Sequence, residues 1–157
     1  MRVGIGRDIH RLVPGRRLII GGVPVESPRG ADAHSDGDAL LHAIIDALLG
    51  AAALGDIGDR FPDSDPQYKD IDSRKLVCAT LDLVKQQGFR VEQVDATVML
   101  EAPKLGPLKQ VIAASVAGLL ELPRDVVNVK AKTAEGLGEV GQGLAIAAEA
   151  VAVLELA

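Results

Sequence analysis

Aromatic residues and cysteine are scarce in this sequence. Its 157 residues include no tryptophan, one tyrosine, two phenylalanines and one cysteine, so a core must be built from aliphatic side chains and alanine. Proteins that bind single-stranded nucleic acid stack bases on aromatic side chains, and this chain has almost none. The lone Cys78 excludes an internal disulfide and favours a reducing compartment, the cytoplasm. We expect Cys78 to be a small buried residue on a helix.

The sequence also lacks a long uncharged apolar segment and an excess of positive charge. No apolar stretch reaches the roughly 20 residues that a membrane-spanning helix needs, and no signal-peptide pattern is recognised at the amino terminus. Seventeen basic and 22 acidic residues give a net charge of −5. That balance argues against nucleic acid or an anionic membrane surface as a partner. The length favours one domain over residues 1–157.

Turn-forming residues divide the chain into strands and helices. Strands are predicted over residues 1–7, 89–101 and 125–133, and helices over residues 39–54, 74–87 and 107–122. The last segment, 144–157, stays open, because its alanines favour a helix and its valines favour a strand. This mixture predicts a two-layer α+β fold, in which three helices pack on one face of a mixed β-sheet.

Two serines are placed where they could begin helices. Ser35 stands three residues before Asp38, which is the spacing of a capping box, and an apolar run follows directly. Ser73 comes immediately before the second predicted helix. We therefore expect Ser35 and Ser73 to be the helix caps.

The three histidines lie in the first third of the chain, and each has acidic neighbours. Asp8 and His10 are two residues apart and directly continue the first predicted strand, so in strand geometry their side chains point to the same side. Asp38, His42 and Asp46 form one polar stripe on the first predicted helix. If that helix packs on the strand, Asp8, His10 and His42 form a zinc site with an open position, and Asp38 or Asp46 could orient His42. The alternative is a solvated helix face and an unrelated surface Asp-x-His.

Seven short sequence motifs occur in a fixed order along the chain. They are Gly-x-Gly-x-Asp-x-His (4–10), Ala-His-Ser-Asp-Gly-Asp (33–38), Gly-Asp-Ile-Gly (55–58), Phe-Pro-Asp-x-Asp (61–65), Ala-Pro-Lys (102–104), Asn-Val-Lys (128–130) and Thr-x-Glu-x-Leu-Gly (133–138). Together they closely resemble the 2-C-methyl-D-erythritol 2,4-cyclodiphosphate synthase family of the non-mevalonate isoprenoid pathway. The resemblance covers essentially the whole chain.

The resemblance implies an enzyme of the phosphorus–oxygen lyase class. In its substrate, 4-diphosphocytidyl-2-C-methyl-D-erythritol 2-phosphate, the 2-phosphate attacks the β-phosphate and expels CMP, which leaves a cyclic diphosphate. The implied assembly is a homotrimer with active sites between neighbouring subunits. The implied metals are one Zn²⁺ on Asp8, His10 and His42, and a second divalent cation, Mg²⁺ or Mn²⁺, on Glu135.

The resemblance also implies which residues act on the substrate. His34 and Thr133 are the implied stabilisers of the transition state. The implied substrate contacts are Asp8, Ile9, His10, His34, Ser35, Asp56, Ile57, Gly58, Phe61, Pro62, Asp63, Ser64, Asp65, Leu100, Glu101, Ala102, Pro103, Lys104, Leu105, Gly106, Lys132, Thr133, Ala134 and Glu135. The segment 56–65 matches the part that holds methylerythritol and its phosphate, and 100–106 matches the cytidine pocket.

Near the carboxyl end the sequence departs from the family pattern. It has Lys132 where threonine is frequent, Glu139 where an aromatic residue is frequent, and Gln142 where arginine is frequent. Arg7 and Leu144 also differ, and several of these positions face the trimer axis in the family, where a prenyl diphosphate can bind. We expect no such ligand here. Our hypothesis is that Lys132 supplies the positive charge that arginine at position 142 gives elsewhere.

Two other kinds of function remain open. A zinc phosphohydrolase would use the same metal and phosphate chemistry with water as nucleophile, and would release open-chain products. A metal-binding or trimeric scaffold without activity would fit if the altered carboxyl end has disabled the site. The retained Asp8, His34, Thr133 and Glu135 argue against the scaffold.

Overall fold

The architecture, seen in a computed structural model that describes residues 1–157, is a layer of helices on one face of a β-sheet. The strands are β1 (Arg2–Pro14), β2 (Leu18–Ile20), β3 (Val23–Val25), β4 (Arg29–Asp32), β5 (Phe89–Met99), β6 (Val127–Lys132) and β7 (Ala145–Leu156). The helices are α1 (Ala39–Ala52), α2 (Ile57–Arg60), α3 (Ser73–Gln86), α4 (Lys109–Leu119) and α5 (Gly138–Gly141), and short 3₁₀ turns occur at 66–68, 106–108 and 124–126.

The main sheet has five strands in the order β4-β1-β7-β5-β6, and β2 and β3 form a separate pair. Only β5 and β6 are parallel, so the sheet is mixed, as predicted. Strand β7 is central, and its Leu154 lies opposite Arg2 on one side and Val91 on the other. The backbone groups of both neighbours need hydrogen-bonding partners, and β7 supplies them. That requirement makes the open segment 144–157 a strand.

The core between the helices and the sheet is almost entirely aliphatic. It contains 37 buried hydrophobic residues, and Phe89 is the only aromatic one. Along β7 the side chains of Ala148, Ala150 and Ala152 are buried while Val151 is exposed, so one face of the sheet carries the core. The expected aliphatic, alanine-rich core is therefore confirmed. None of the helices has both the length and the apolar character needed to cross a membrane.

Helix α1 lies directly on the backbone of β1. A Cβ atom on Gly4 would be 2.0 Å from the carbonyl oxygen of Ala47, a distance that no side chain tolerates. Glycine is therefore required where the helix crosses the strand. Strand β1 continues to Pro14, well beyond the predicted end at residue 7, and so carries Asp8 and His10 in regular strand geometry.

The predicted helix caps are wrong at both helices. The N-cap of α1 is Asp38, whose carboxylate accepts from the Leu41 N–H, and Ser35 lies in the preceding turn. The N-cap of α3 is Asp72, and Ser73 is already the first helical residue. In both cases an aspartate next to the helix takes the role, because its carboxylate satisfies the free N–H groups at least as well as a hydroxyl does.

Two further predictions need correction. Cys78 lies on α3 as expected, but its side chain is exposed rather than buried, because it falls on the outer side of the helix. The helix predicted over 107–122 is shorter, since a 3₁₀ turn occupies 106–108 and α4 ends at Leu119.

Candidate metal centre and substrate cavities

Three side chains predicted to bind a metal converge on one point. The distances are 2.8 Å between Asp8 Oδ2 and His10 Nε2, 3.0 Å between Asp8 Oδ2 and His42 Nδ1, and 3.2 Å between the two imidazole nitrogens. Nitrogen and oxygen ligands at about 2.0–2.1 Å from a tetrahedral zinc are about 3.3 Å apart. The triangle therefore fits a divalent metal ion bound on one side and open on the other.

The fold explains this convergence. Asp8 and His10 lie on the face of β1 that α1 covers, and His42 lies in the first turn of α1. The packing of α1 on the glycines of β1 brings the helix to the strand at this level. The expectation that Asp8, His10 and His42 share one site is confirmed, and the alternative of a solvated helix face is wrong, since His42 is buried.

The electrostatics of the triangle favour a positive charge at its centre. Burial on its own would raise the pKa of the Asp8 carboxyl, but hydrogen bonds and charge from His10 and His42 outweigh burial and hold that pKa well below its usual range. Burial on its own would lower the pKa of His42, but Asp8 outweighs it and raises that pKa. Asp8 is thus an ionised carboxylate beside two imidazoles, which is a typical ligand set for a divalent transition metal.

The carboxylates of the two predicted orienting residues do not hydrogen-bond to the His42 ring. The Asp38 carboxylate accepts from the N–H groups of Gly21 at 2.9 Å, Gly22 at 2.7 Å and Leu41 at 3.0 Å. Burial raises its pKa to about 6, although these three donors favour the ionised form. Asp38 therefore joins the turn after β2 to the start of α1.

The other predicted orienting residue, Asp46, has a different partner. Its carboxylate accepts from the Ile57 N–H at 2.8 Å and so ties the loop after α1 to the helix. The residues that do contact the second ring nitrogen of His42 are two serines. Nε2 lies 2.8 Å from Ser73 Oγ and 3.3 Å from Ser35 Oγ. Sequence spacing could not indicate Ser73, because it lies on a different helix.

A cavity of about 430 Å³ opens beside the metal ligands. Its lining consists of Asp8, His10, Asp32, Ala33, His34, Ser35, His42, Ile57, Gly58, Phe61, Pro62, Asp63, Tyr68, Ile71 and Leu76. His34 lies at the rim with its Nε2 3.4 Å from the carbonyl oxygen of Asp65. The segments around residues 8–10, 34–35 and 57–63, which the sequence predicts to act together, therefore do meet.

Two aspartates of the segment 56–65 cap short helical turns. Asp56 caps α2, where its carboxylate accepts from the Asp59 N–H at 2.9 Å. Asp65 caps the next 3₁₀ turn through the Gln67 N–H at 3.0 Å. Asp56, Ser64 and Asp65 do not line the cavity, whereas Asp63 does. The caps at Asp56 and Asp65 therefore hold this segment in a defined conformation beside the cavity.

A second cavity, of about 220 Å³, lies between two other predicted segments. Its lining consists of Leu100, Lys104, Leu105, Gly106, Pro107, Lys109, Ala131, Lys132 and Thr133. The two segments are held together by bonds from the Leu100 N–H to the Lys132 carbonyl at 2.9 Å and from the Ala134 N–H to Glu101 at 3.0 Å. The Thr133 hydroxyl donates to Glu135 at 3.1 Å.

The two cavities share no residue, so the predicted site falls into two halves within one chain. His34 belongs to the first half and Thr133 to the second. The Ile9 side chain points away from both, because it lies on the opposite face of β1 from Asp8 and is 61% exposed. Glu139 and Gln142, in and directly after α5, line neither cavity.

Comparisons with known proteins agree with the predicted family. The pattern of the YgbB family matches residues 1–155. The 2-C-methyl-D-erythritol 2,4-cyclodiphosphate synthase of Gloeobacter violaceus is 56% identical over 155 residues, which cover 99% of this chain and 95% of the relative. That of Nitrosomonas eutropha is 53% identical over 154 residues, which cover 98% of this chain and 92% of the relative.

Solved structures agree as well. A 2C-methyl-D-erythritol-2,4-cyclodiphosphate synthase described as bound to CDP has a TM-score of 0.91 and 42% identity over 98% of this chain and 100% of its own. The bifunctional IspDF of Campylobacter jejuni has a TM-score of 0.95 and 38% identity over 99% of this chain, which spans only 42% of that longer protein. The chain therefore belongs to the YgbB family, among relatives named 2-C-methyl-D-erythritol 2,4-cyclodiphosphate synthase.

Proposed function

We propose that residues 1–157 form one synthase domain that converts 4-diphosphocytidyl-2-C-methyl-D-erythritol 2-phosphate to 2-C-methyl-D-erythritol 2,4-cyclodiphosphate and CMP. The observation that carries the proposal is the triangle of Asp8, His10 and His42 beside His34, in a chain 56% identical to a synthase of that name. The reaction is an intramolecular phosphoryl transfer in the non-mevalonate isoprenoid pathway. The single cysteine is in keeping with the cytoplasm as the compartment.

The donor atoms guide the proposed choice of metals. Two imidazole nitrogens and one carboxylate oxygen suit Zn²⁺ with one open position. Glu135 offers only carboxylate oxygen, which suits a harder cation, Mg²⁺ or Mn²⁺. Bound divalent cations would neutralise phosphate charge and so favour attack by one phosphate group on another.

The chain's own residues position the substrate in this proposal. Phosphoryl transfer needs mainly alignment and charge stabilisation. The first cavity would take the methylerythritol part and its 2-phosphate, near His34 and Ser35. The second would take cytidine between backbone groups of 100–106, with Lys104 and Lys132 near the phosphates. Thr133, beside Glu135, would stabilise the transition state from the second half.

The separation of the two halves supports a homotrimer with active sites between subunits. The uncovered face of the sheet is apolar on β1, where Val3, Ile5 and Ile9 are each more than 60% exposed. Such a surface is typical of a face that packs against another copy. At its centre Arg7 pairs with Glu149 at 3.1 Å. Because that pair fills the surface with matched charge, we propose that no prenyl diphosphate binds there.

Mixed oligomers test this arrangement directly. A His34→Ala chain and a Thr133→Ala chain should each be inactive as homotrimers. If His34 of one subunit acts with Thr133 of its neighbour, mixed trimers assembled from both chains contain some intact sites and regain activity. Mixed trimers without any activity would contradict a site shared between subunits.

A further inference from the structure

A hydrogen-bonded chain lies behind His42 and is formed by the buried Ser73 and the half-buried Asp36. Neither residue contacts the other two metal ligands, Asp8 and His10. We propose that Ser73 and Asp36 are positioning residues that hold His42 in one tautomer, with the proton on Nε2 and the lone pair of Nδ1 directed at the metal. This inference rests on the metal centre proposed above.

The direction of each hydrogen bond follows from what each group can donate. The Asp36 carboxylate only accepts, and it receives the Ser73 N–H at 2.9 Å on one oxygen and the Ser73 hydroxyl on the other. A hydroxyl has a single hydrogen, so the Ser73 oxygen is left as an acceptor. It lies 2.8 Å from His42 Nε2, which must therefore be the donor.

The consequence appears at the other ring nitrogen. A neutral imidazole with its proton on Nε2 has only a lone pair on Nδ1. In this neutral form the lone pair faces Asp8 Oδ2 at 3.0 Å, so the hydrogen bond that a protonated ring donates to Asp8 is absent and two acceptors meet. Two facing acceptors repel each other unless a positive charge lies between them. The hydrogen-bonded chain behind His42 therefore favours binding of a cation in the triangle.

Ser73 is fully buried, and its hydroxyl is not needed to begin α3, because Asp72 caps that helix. Ser35 is a weaker partner for Nε2, since its oxygen lies 3.3 Å away and already accepts the Gly37 N–H at 3.1 Å. The Ser73 hydroxyl therefore has one evident role. It donates its hydrogen to Asp36 and so presents only an acceptor to the imidazole.

Asp36 also joins the metal centre to the loop of the first cavity. Its N–H donates to the Ile71 carbonyl at 3.1 Å, and the Asp70 N–H donates to the His34 carbonyl at 2.7 Å. The segment that carries His34 is thereby paired with the end of the loop that precedes α3. Asp36 therefore orients a metal ligand through its side chain, and its backbone N–H helps to hold the segment beside His34.

The substitution Asp36→Asn gives the sharpest test. It reverses donors and acceptors in the hydrogen-bonded chain, while the side chain keeps nearly the same size and shape. The amide oxygen keeps the Ser73 N–H, and the amide nitrogen faces the Ser73 oxygen and donates to it. The Asp38 N–H, which donates to Asp36 Oδ1 at 3.2 Å, loses its acceptor in this arrangement. The Ser73 hydroxyl must donate to His42 Nε2, which moves the ring proton to Nδ1 and places it where the metal binds. An equivalent change at a catalytic triad is known to hold a histidine in the wrong tautomer.

Two measurements on the full chain report the outcome. Competition with a chromophoric chelator should show that Asp36→Asn lowers zinc affinity by about ten- to a hundredfold. In zinc-free protein at a pH where the His42 ring is neutral, nitrogen-15 NMR should show the proton on Nε2 in the wild type and on Nδ1 in Asp36→Asn. Ser73→Ala, which removes the hydroxyl but keeps the backbone N–H, should also weaken zinc binding. Ser73→Thr, which keeps a hydroxyl, should bind zinc as tightly as the wild type.

Asp72→Asn is the matched control, since it makes the same chemical change at the cap of α3. It should lower the thermal stability of the protein but leave zinc affinity and the His42 tautomer as in the wild type. Wild-type zinc affinity and tautomer in a folded Asp36→Asn protein would overturn the inference and leave the proposed metal centre intact. A wild-type protein that binds no zinc would overturn the metal centre itself.

Discussion

The carbonyl oxygen of Ala43 occupies the place where a side chain at position 6 would begin. A Cβ atom on Gly6 would lie 2.0 Å from that oxygen and 2.6 Å from the backbone nitrogen of Ala47. Gly6 precedes Asp8 on β1, and Ala43 follows His42 on α1. This contact sets the distance between the strand and the helix that together carry the candidate metal ligands.

The first prediction concerns that contact. Gly6→Ala forces α1 away from β1, and overpacking of this kind typically costs about 1–3 kcal/mol or more. We expect a lower free energy of unfolding in urea and weaker zinc binding in a chelator competition. Gly118→Ala is the control, because a Cβ there meets nothing within 4 Å and the residue lies in the last turn of α4. Wild-type stability and zinc affinity in Gly6→Ala would show that the contact does not set the geometry.

The second prediction separates the metal ligand from its neighbour in the cavity. His42→Ala removes one of three ligands, so purified protein should lose zinc, measured by metal analysis, together with activity. His34→Ala should lose activity but retain zinc, because its ring bonds the Asp65 carbonyl and not the metal triangle. Full activity in a zinc-free His42→Ala protein would count against the assignment of the site.

The third prediction concerns Arg16, whose guanidinium holds the loop that carries His34 and Ser35. It donates to the carbonyl oxygens of Ala31 at 3.2 Å, Ala33 at 3.2 Å and Ser35 at 3.3 Å. Arg16→Met keeps the apolar stem but removes all three bonds. Since misplaced groups slow a reaction that depends on alignment, we expect kcat to fall about tenfold or more while zinc content stays unchanged.

Arg17 provides the control for that experiment, because it is the next residue and its side chain is exposed. Arg17→Met should leave kcat, KM and zinc content at wild-type values. Equal kinetics for the two variants would mean that the loop keeps its position without the guanidinium of Arg16.

The fourth prediction tests the hypothesis for Lys132. This exposed residue lines the second cavity beside Thr133, where a positive charge would meet a substrate phosphate. Lys132→Met should raise KM or lower kcat by about tenfold, which corresponds to roughly 1.4 kcal/mol of transition-state stabilisation. Lys75→Met, on the exposed side of α3, should have no effect. Unchanged kinetics in Lys132→Met would dispose of the hypothesis.

The parts of the site that lie close together in sequence could be predicted from residues alone. Alternation on a strand placed Asp8 and His10 on one face, and the apolar run after Asp38 indicated the helix that carries His42. The identity of the N-cap was wrong because serine and aspartate serve equally well there. Only the structure shows that Asp38 accepts three N–H groups at once.

The parts that depend on distant contacts could not be predicted. Ser73 reaches His42 only because α3 packs beside α1, and no local pattern contains that information. The last strand was ambiguous for the same reason, since its alanines become a strand through pairing with β1 and β5. The exposed Cys78 shows the limit of general preferences, because a shift of one position along the helix decides whether a small residue is buried: Val77 is buried and Cys78 is not.

Phosphorus NMR of the purified protein with 4-diphosphocytidyl-2-C-methyl-D-erythritol 2-phosphate and magnesium, with and without a zinc chelator, distinguishes cyclisation from hydrolysis and shows whether zinc is required. We expect CMP and a cyclic diphosphate as products, and loss of both on chelation. Open-chain products would contradict cyclisation and indicate a hydrolase, and no turnover despite bound zinc would contradict the proposed substrate.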